Sequence, residues 1–386
     1  MKLDVDELLE LARQRTGLKD FGSNDFMPGL KLLVEDVNTS AGIRDASWNE
    51  MIEQRFVRLL VNRLWLAKDL TGHPEIAREE IGSPVIIASL PRTGSTKLHR
   101  MLGASGTFQT LRFWQVHMFA RIPGQPDGGR EQRIRETRAY EQWMYRMSPS
   151  ILTGHPMFTD EPEEDQWLME ATFRHPLQFG IFESPRYAQW MMESDKAPMF
   201  DYFLTALKYL QWQDGAQRHR PWLLKTPNHM GNEPMLTRVY DKPRFIITHR
   251  DPARCVASIV ATTIAFRKLY SDRDTRAPLM AGAMALFSAV TAAHLQWRDS
   301  KPDVEILDLG FREITADGIG TARRVHEFLG LPFTREAEAG VRRWEADNPK
   351  DKHGKADYSA EALGTTDEKI RAEFAPYIAR FAPYLA

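Results

Sequence analysis

Two short segments carry residues suited to holding an anion. The first, Leu90-Pro91-Arg92-Thr93-Gly94-Ser95-Thr96-Lys97, follows the apolar run Val85-Ile86-Ile87. Gly94 lets the backbone approach a ligand closely, and the N–H groups that open a following helix point at it. Thr93, Ser95 and Thr96 offer hydroxyls, and Arg92 and Lys97 add charge. Phosphate or sulfate binding is one reading; an ordinary strand-to-helix turn with a good N-cap is the other. A Walker A loop is excluded, because Ser89 stands where its first glycine belongs and Gly94 is followed by Ser95-Thr96. The second segment is Thr248-His249-Arg250-Asp251-Pro252-Ala253-Arg254, after Phe245-Ile246-Ile247. Asp251 is a natural N-cap and Pro252 a natural first helical residue. Arg254 and Ser258, four apart, then share one helical face. Arg250 falls at a strand's carboxyl end, where open α/β sheets bind ligands, unless it merely caps a neighbouring helix. A protein-kinase catalytic loop also begins His-Arg-Asp, but it needs Asn where Val256 stands.

The elements that must position these segments are legible in the hydrophobic pattern. Pro84 to Leu90 reads as a strand buried on both faces, and Trp222-Leu223-Leu224, Phe245-Ile246-Ile247 and Val304 to Asp308 read as further strands. Strands alternating with helices predict an α/β fold with a parallel sheet flanked by helices. Residues 1–78 form a helical layer in this reading, with Leu8, Leu9, Leu11 and Ala12, then Met51, Phe56, Leu59, Leu60 and Leu64, at helical spacing. The α/β domain occupies 79–386, with a mostly helical insertion at about 121–215 rich in Trp, Met and Phe. The longest uncharged run, Ala277 to Trp297, reads as a buried helix rather than an integral membrane span.

Composition narrows the class. The chain has 386 residues, 42% hydrophobic and 27% charged, which excludes a wholly disordered or collagen-like protein. Lys and Arg total 51 against 52 Asp and Glu, so no basic footprint points to nucleic acid. The lone Cys255 forbids an internal disulfide and excludes multi-cysteine metal sites. With acids near the N-terminus in place of a signal-peptide core, a reducing, cytoplasmic setting is expected.

Taken together and in this order, the two anion segments resemble the sulfotransferases that use 3′-phosphoadenosine 5′-phosphosulfate (PAPS), in their bacterial branch. Pro91-Arg92-Thr93-Gly94-Ser95-Thr96 is similar to that family's 5′-phosphosulfate loop, and Arg250 with Ser258, eight residues on, to its 3′-phosphate grip. Leu224-Lys225-Thr226-Pro227-Asn228-His229 and His155-Pro156 through Pro162-Glu163-Glu164-Asp165 resemble two further family segments. His353-Gly354-Lys355 and Tyr358 resemble its nucleotide loop. The resemblance spans roughly residues 80–385 and implies a P-loop-like fold, PAPS as donor, 3′-phosphoadenosine 5′-phosphate (PAP) as product, and no metal. Lys97 departs from the family pattern, which has an apolar residue or Trp there. Gln115 stands where several relatives carry a candidate glutamate base.

Sulfuryl transfer needs an in-line arrangement of attacking oxygen, sulfur and leaving oxygen, and a base for the acceptor hydroxyl. Arg92 and the Gly94–Thr96 N–H groups are expected to neutralise the leaving group. No His/Asp/Glu spacing suggests a metal cage. His155, Glu164, His229 and His117 are the candidate bases, and Lys225 either steadies the bridging oxygen or pairs with an acid. The insertion's Met and aromatic residues are mostly core, with the surplus suited to a lipophilic small molecule bearing a hydroxyl. The competing readings are a P-loop small-molecule kinase and a non-catalytic nucleotide-binding relative.

Overall fold

The apolar run after Pro84 becomes a short strand whose alternate side chains face two different cores. In the computed structural model, β1 (Val85–Ile87) pairs in parallel with both β2 (Leu223–Lys225) and β3 (Arg244–His249), and β3 with β4 (Ile306–Gly310). The order across the sheet is β2-β1-β3-β4. The structure describes residues 2–39, 46–215, 219–349, 352, 354 and 358–385. Ile86, Leu224, Phe245 and Ile247 face one apolar cluster; Val85, Ile87, Leu223 and Ile246 face another. Helices on both faces explain why these strands lack the polar alternation of a half-exposed sheet.

The first cluster takes in the N-terminal helices Val5–Thr16, Met27–Thr39 and Ala46–Gly72 through Leu8, Leu30, Leu33, Phe56, Leu60 and Leu64. It also receives Phe200, Phe203 and Leu207 from helix Ala197–Asp214 and Met144 from helix Arg130–Met147. The second cluster packs helices Ser95–Ala104 and Gly318–Phe328 against the opposite face through Leu98, Met101, Ala322 and Val325. Register fixes the functional ends: Ile87 pairs with Lys225 and with Ile246, so the residues leaving β1, β2 and β3 emerge at one edge of the sheet.

Two sequence expectations change. The fourth strand runs Ile306–Gly310, two residues later than the apolar pattern indicated. Helix Arg276–Asp299 is not a buried helix: only Met280, Thr291, His294 and Trp297 are fully enclosed. Its alanines leave one side to solvent, because the helix rests on the core along a single stripe. It is the one helix among the described residues long and apolar enough by composition to cross a membrane, with 17% of its most apolar window buried. Another of its faces, with Leu279, Leu286 and Val290, lines a cavity.

Candidate functional site

The turn after β1 is built by two left-handed residues, Arg92 (φ 69°) and Gly94 (φ 86°). The second leads directly into helix Ser95–Ala104, which has no side-chain cap. Its first N–H groups are therefore left for a ligand, and Gly94, Ser95 and Thr96 all border the cavity. A Cβ at Gly94 would stand 3.2 Å from the Phe311 ring in a conformation L-residues avoid. Gly94→Ala is expected to cost about 1–2 kcal/mol of stability, measured by urea denaturation; an unchanged midpoint would contradict this conformation. Thr93 differs from its expected role. It is wholly buried, and its hydroxyl donates to Leu90 O at 2.9 Å and shares a hydrogen bond with the Thr248 hydroxyl. Its side chain braces the loop instead of meeting a ligand.

Asp251 accepts from the Ala253 N–H and starts helix Pro252–Arg267, as its type and position dictate. Arg250, just before it, donates to Arg92 O at 2.9 Å and lies 3.9 Å from the centre of the Phe311 ring. Arg92 Nε donates to Ser258 Oγ at 3.0 Å. Ser258 is buried and does not border the cavity, so its hydroxyl positions Arg92. Neither Arg92 nor Arg250 has a carboxylate partner among the described residues. Burial pushes the Arg92 guanidinium below its usual pKa; Tyr358 opposes this and the Arg250 charge adds to it. Two cations held together with no counter-charge among the described residues favour an anion beside them.

Lys97 is not part of that site: its ammonium pairs with Glu345 at 2.9 Å, and the residue does not border the cavity. Gly354 takes a left-handed φ of 86° near Thr153. His353 and Lys355 lie outside the described residues.

The carboxyl end of β2 delivers Lys225 to the same cavity. Its ammonium donates to Thr96 Oγ1 at 3.0 Å and forms a buried ion pair with Glu164, which also accepts from Gln166 Nε2. Lys225 thus links the anion loop to the 155–165 segment. There His155 Nε2 is 2.9 Å from Glu163 Oε1, and Arg100 reaches the other Glu163 oxygen at 3.3 Å. Burial alone would raise the Glu163 pKa, but His155, Arg100 and Lys225 outweigh it and hold the group ionised. The ligating atoms of His155, Glu163 and Glu164 lie within 4.8 Å of one another, a grouping that linear spacing did not reveal. Lys225 and Arg100 already face those carboxylates, so a divalent ion would compete with two built-in cations.

Of the four candidate bases, His155 and Glu164 border the cavity. His229 does not: it is fully buried, with Nε2 2.8 Å from Asp165. Nor does His117, which stacks on Tyr140 and whose pKa is pushed well down by burial and by Arg58 and Arg55.

The cavity measures about 820 Å³. Arg92, Thr96, Lys225, Glu164, His155 and Arg250 gather its polar groups, and its apolar wall includes Met157, Trp167, Phe179, Met192, Phe266, Leu279 and Leu286. Of the Met and aromatic residues in the 121–215 insertion, Met157, Trp167, Phe179 and Met192 reach the cavity. Helices Pro252–Arg267 and Arg276–Asp299 supply much of the remaining wall. Phe311, which supports both Arg250 and Gly94, had no signal in the sequence.

A P-loop-like parallel sheet flanked by helices, with an uncapped helix N-terminus and two arginines beside an apolar cavity, is the architecture of an α/β transferase. The sulfotransferase family profile matches residues 84–336, and the chain belongs to that family. It is similar in structure to sulfotransferase STF9 from Mycobacterium avium, with a TM-score of 0.85 and 25% identity over 98% of this chain and 96% of that one. Sulfotransferase STF1 from Mycobacterium tuberculosis H37Rv is similar too, with a TM-score of 0.81 and 25% identity over 97% of this chain and 99% of that one. No curated protein sequence matches the chain.

Proposed function

We propose that the protein transfers a sulfuryl group from PAPS to a hydroxyl of a lipophilic small molecule, in the cytoplasm. The observation that carries this reading is the pair Arg92 and Arg250, cations with no carboxylate partner among the described residues, beside an uncapped helix N-terminus and in the same cavity as His155. A donor with two phosphate centres suits such a site. Arg250 and Arg92 would neutralise its charge, and the N–H groups from Gly94 to Thr96 would hold its phosphosulfate end.

Lys225, in contact with Thr96, would steady the bridging oxygen as that oxygen gains charge. His155 would take the acceptor's proton. Glu164 fits that role less well, because Lys225 and Gln166 already occupy its carboxylate. The apolar wall supports an acceptor that is mostly hydrocarbon or aromatic, with water kept from the reacting groups.

Thermal denaturation with PAP, and with ATP with and without Mg²⁺, tests the donor. At 100 times its Kd, PAP is expected to add about 2.7 kcal/mol without metal. Arg250→Ala should abolish that gain while leaving the unliganded melting temperature within a few degrees. A Mg²⁺-dependent response to ATP, with none to PAP, would replace this reading with a kinase.

A further inference from the structure

We propose that Glu163 is a positioning residue for this reaction, holding His155 as the tautomer whose Nδ1 is free to take the acceptor's proton. The proposal rests on the reading of His155 as base. An ionised carboxylate only accepts hydrogen bonds, so at 2.9 Å from Glu163 Oε1 the His155 Nε2 must carry the hydrogen. Nδ1 is then the basic nitrogen, and it has no partner among the described residues.

Glu163 is itself fixed. Its Oε1 also accepts the Glu164 N–H at 2.9 Å, and its backbone N–H donates to Leu111 O at 2.8 Å. Arg100 binds the carboxylate at 3.3 Å and both ends of the intervening loop, Pro156 O at 2.7 Å and Pro162 O at 3.2 Å. Arg100 lies on helix Ser95–Ala104, whose N-terminus forms the anion loop. One rigid element therefore sets the position of the donor cradle and, through Arg100 and Glu163, of the base. Buried ion pairs add little net stability, whereas fixing a working group within fractions of an ångström is what such an arrangement can do.

In the transfer step the acceptor oxygen bonds to sulfur while the bond from sulfur to the bridging phosphate oxygen breaks. The hydroxyl proton moves to His155 Nδ1. The resulting imidazolium donates from both nitrogens, its charge is balanced by Glu163, and the proton then leaves to solvent. The charged groups nearest the ring are Glu163 and Glu164 from its own segment; Arg100 from helix Ser95–Ala104 pairs with Glu163, Lys225 from β2 with Glu164, and Arg92 from the anion loop borders the same cavity. Phe266, from helix Pro252–Arg267, is uncharged and lies 6.5 Å away.

The test is Glu163→Gln in the full chain, with Glu163→Asp as the charge-preserving partner. Nitrogen NMR of the His155 ring, assigned by its loss in His155→Gln, should show the hydrogen on Nε2 in the neutral wild type. In Glu163→Gln the amide can donate as well as accept, so the preference for that tautomer should weaken. Turnover, read as PAP released from PAPS with 2-naphthol or with water alone, should fall about 10- to 100-fold, the range usual for groups that orient a working histidine. The PAP-induced thermal shift should be retained. Glu163→Asp should recover part of both effects. If Gln fails to fold, the wild-type tautomer and the Asp variant decide alone.

Hydrogen on Nδ1 in the wild type, or a tautomer preference unmoved in both variants, would overturn the role of Glu163. Full turnover in His155→Gln would instead overturn the reading of His155 as base, whatever Glu163 does.

Discussion

Replacing Arg92 with alanine is expected to lower sulfuryl transfer by about 10²–10³-fold, the loss usual for one group that stabilises developing charge in a closed site. The unliganded protein should barely notice the change. Arg92 is a half-buried cation with no carboxylate partner among the described residues, and Nε to Ser258 is the one side-chain hydrogen bond its guanidinium makes among them. Such a bond contributes about 1 kcal/mol, and removing a desolvated charge acts in the opposite direction. The left-handed φ of 69° is as unfavourable for alanine as for arginine. Initial rates of PAP release, read beside a urea melt, separate the two roles. A large stability loss with transfer intact would make Arg92 a structural residue and leave the anion site without its centre.

His155→Ala should reduce turnover by about 10²–10⁴-fold, the usual contribution of a positioned base. Donor binding should survive, because the hydrogen-bond partner of His155 is Glu163, on a segment separate from the arginine pair. The expected pattern is an unchanged PAP-induced thermal shift with lost turnover. Equal loss of PAP affinity and turnover would place His155 in the donor site and return the proton-transfer role to Glu164.

The two anion segments were legible because each is local. An apolar strand, a glycine that tolerates a left-handed turn and an N-capping Asp-Pro dictate strand–turn–helix units within about a dozen residues. A parallel sheet then aligns the carboxyl ends of all its strands, so Arg92, Lys225 and Arg250 could be expected to converge before any contact was known. Composition and patterning also established the α/β class and the helical character of the N-terminal 78 residues.

Which side chain faces the cavity was a tertiary decision. Thr93 and Thr96 differ by three positions and both offer a hydroxyl. Only packing against Thr248 turns one inward, while Lys225 meets the other. Lys97 carries the same charge as a phosphate-binding lysine, yet Glu345, almost 250 residues along the chain, draws it away. Histidine type alone could not separate His155 from His229. One borders the cavity, and the other is enclosed with Asp165.

The uncharged run at 277–297 has the composition of a buried helix, but burial depends on how many neighbours reach it, and only one stripe is covered by protein. Local sequence determines backbone conformation through interactions a few residues long. Ion pairs, cavity walls and proton-accepting groups are set by elements brought together from distant parts of the chain, which no spacing within one segment encodes.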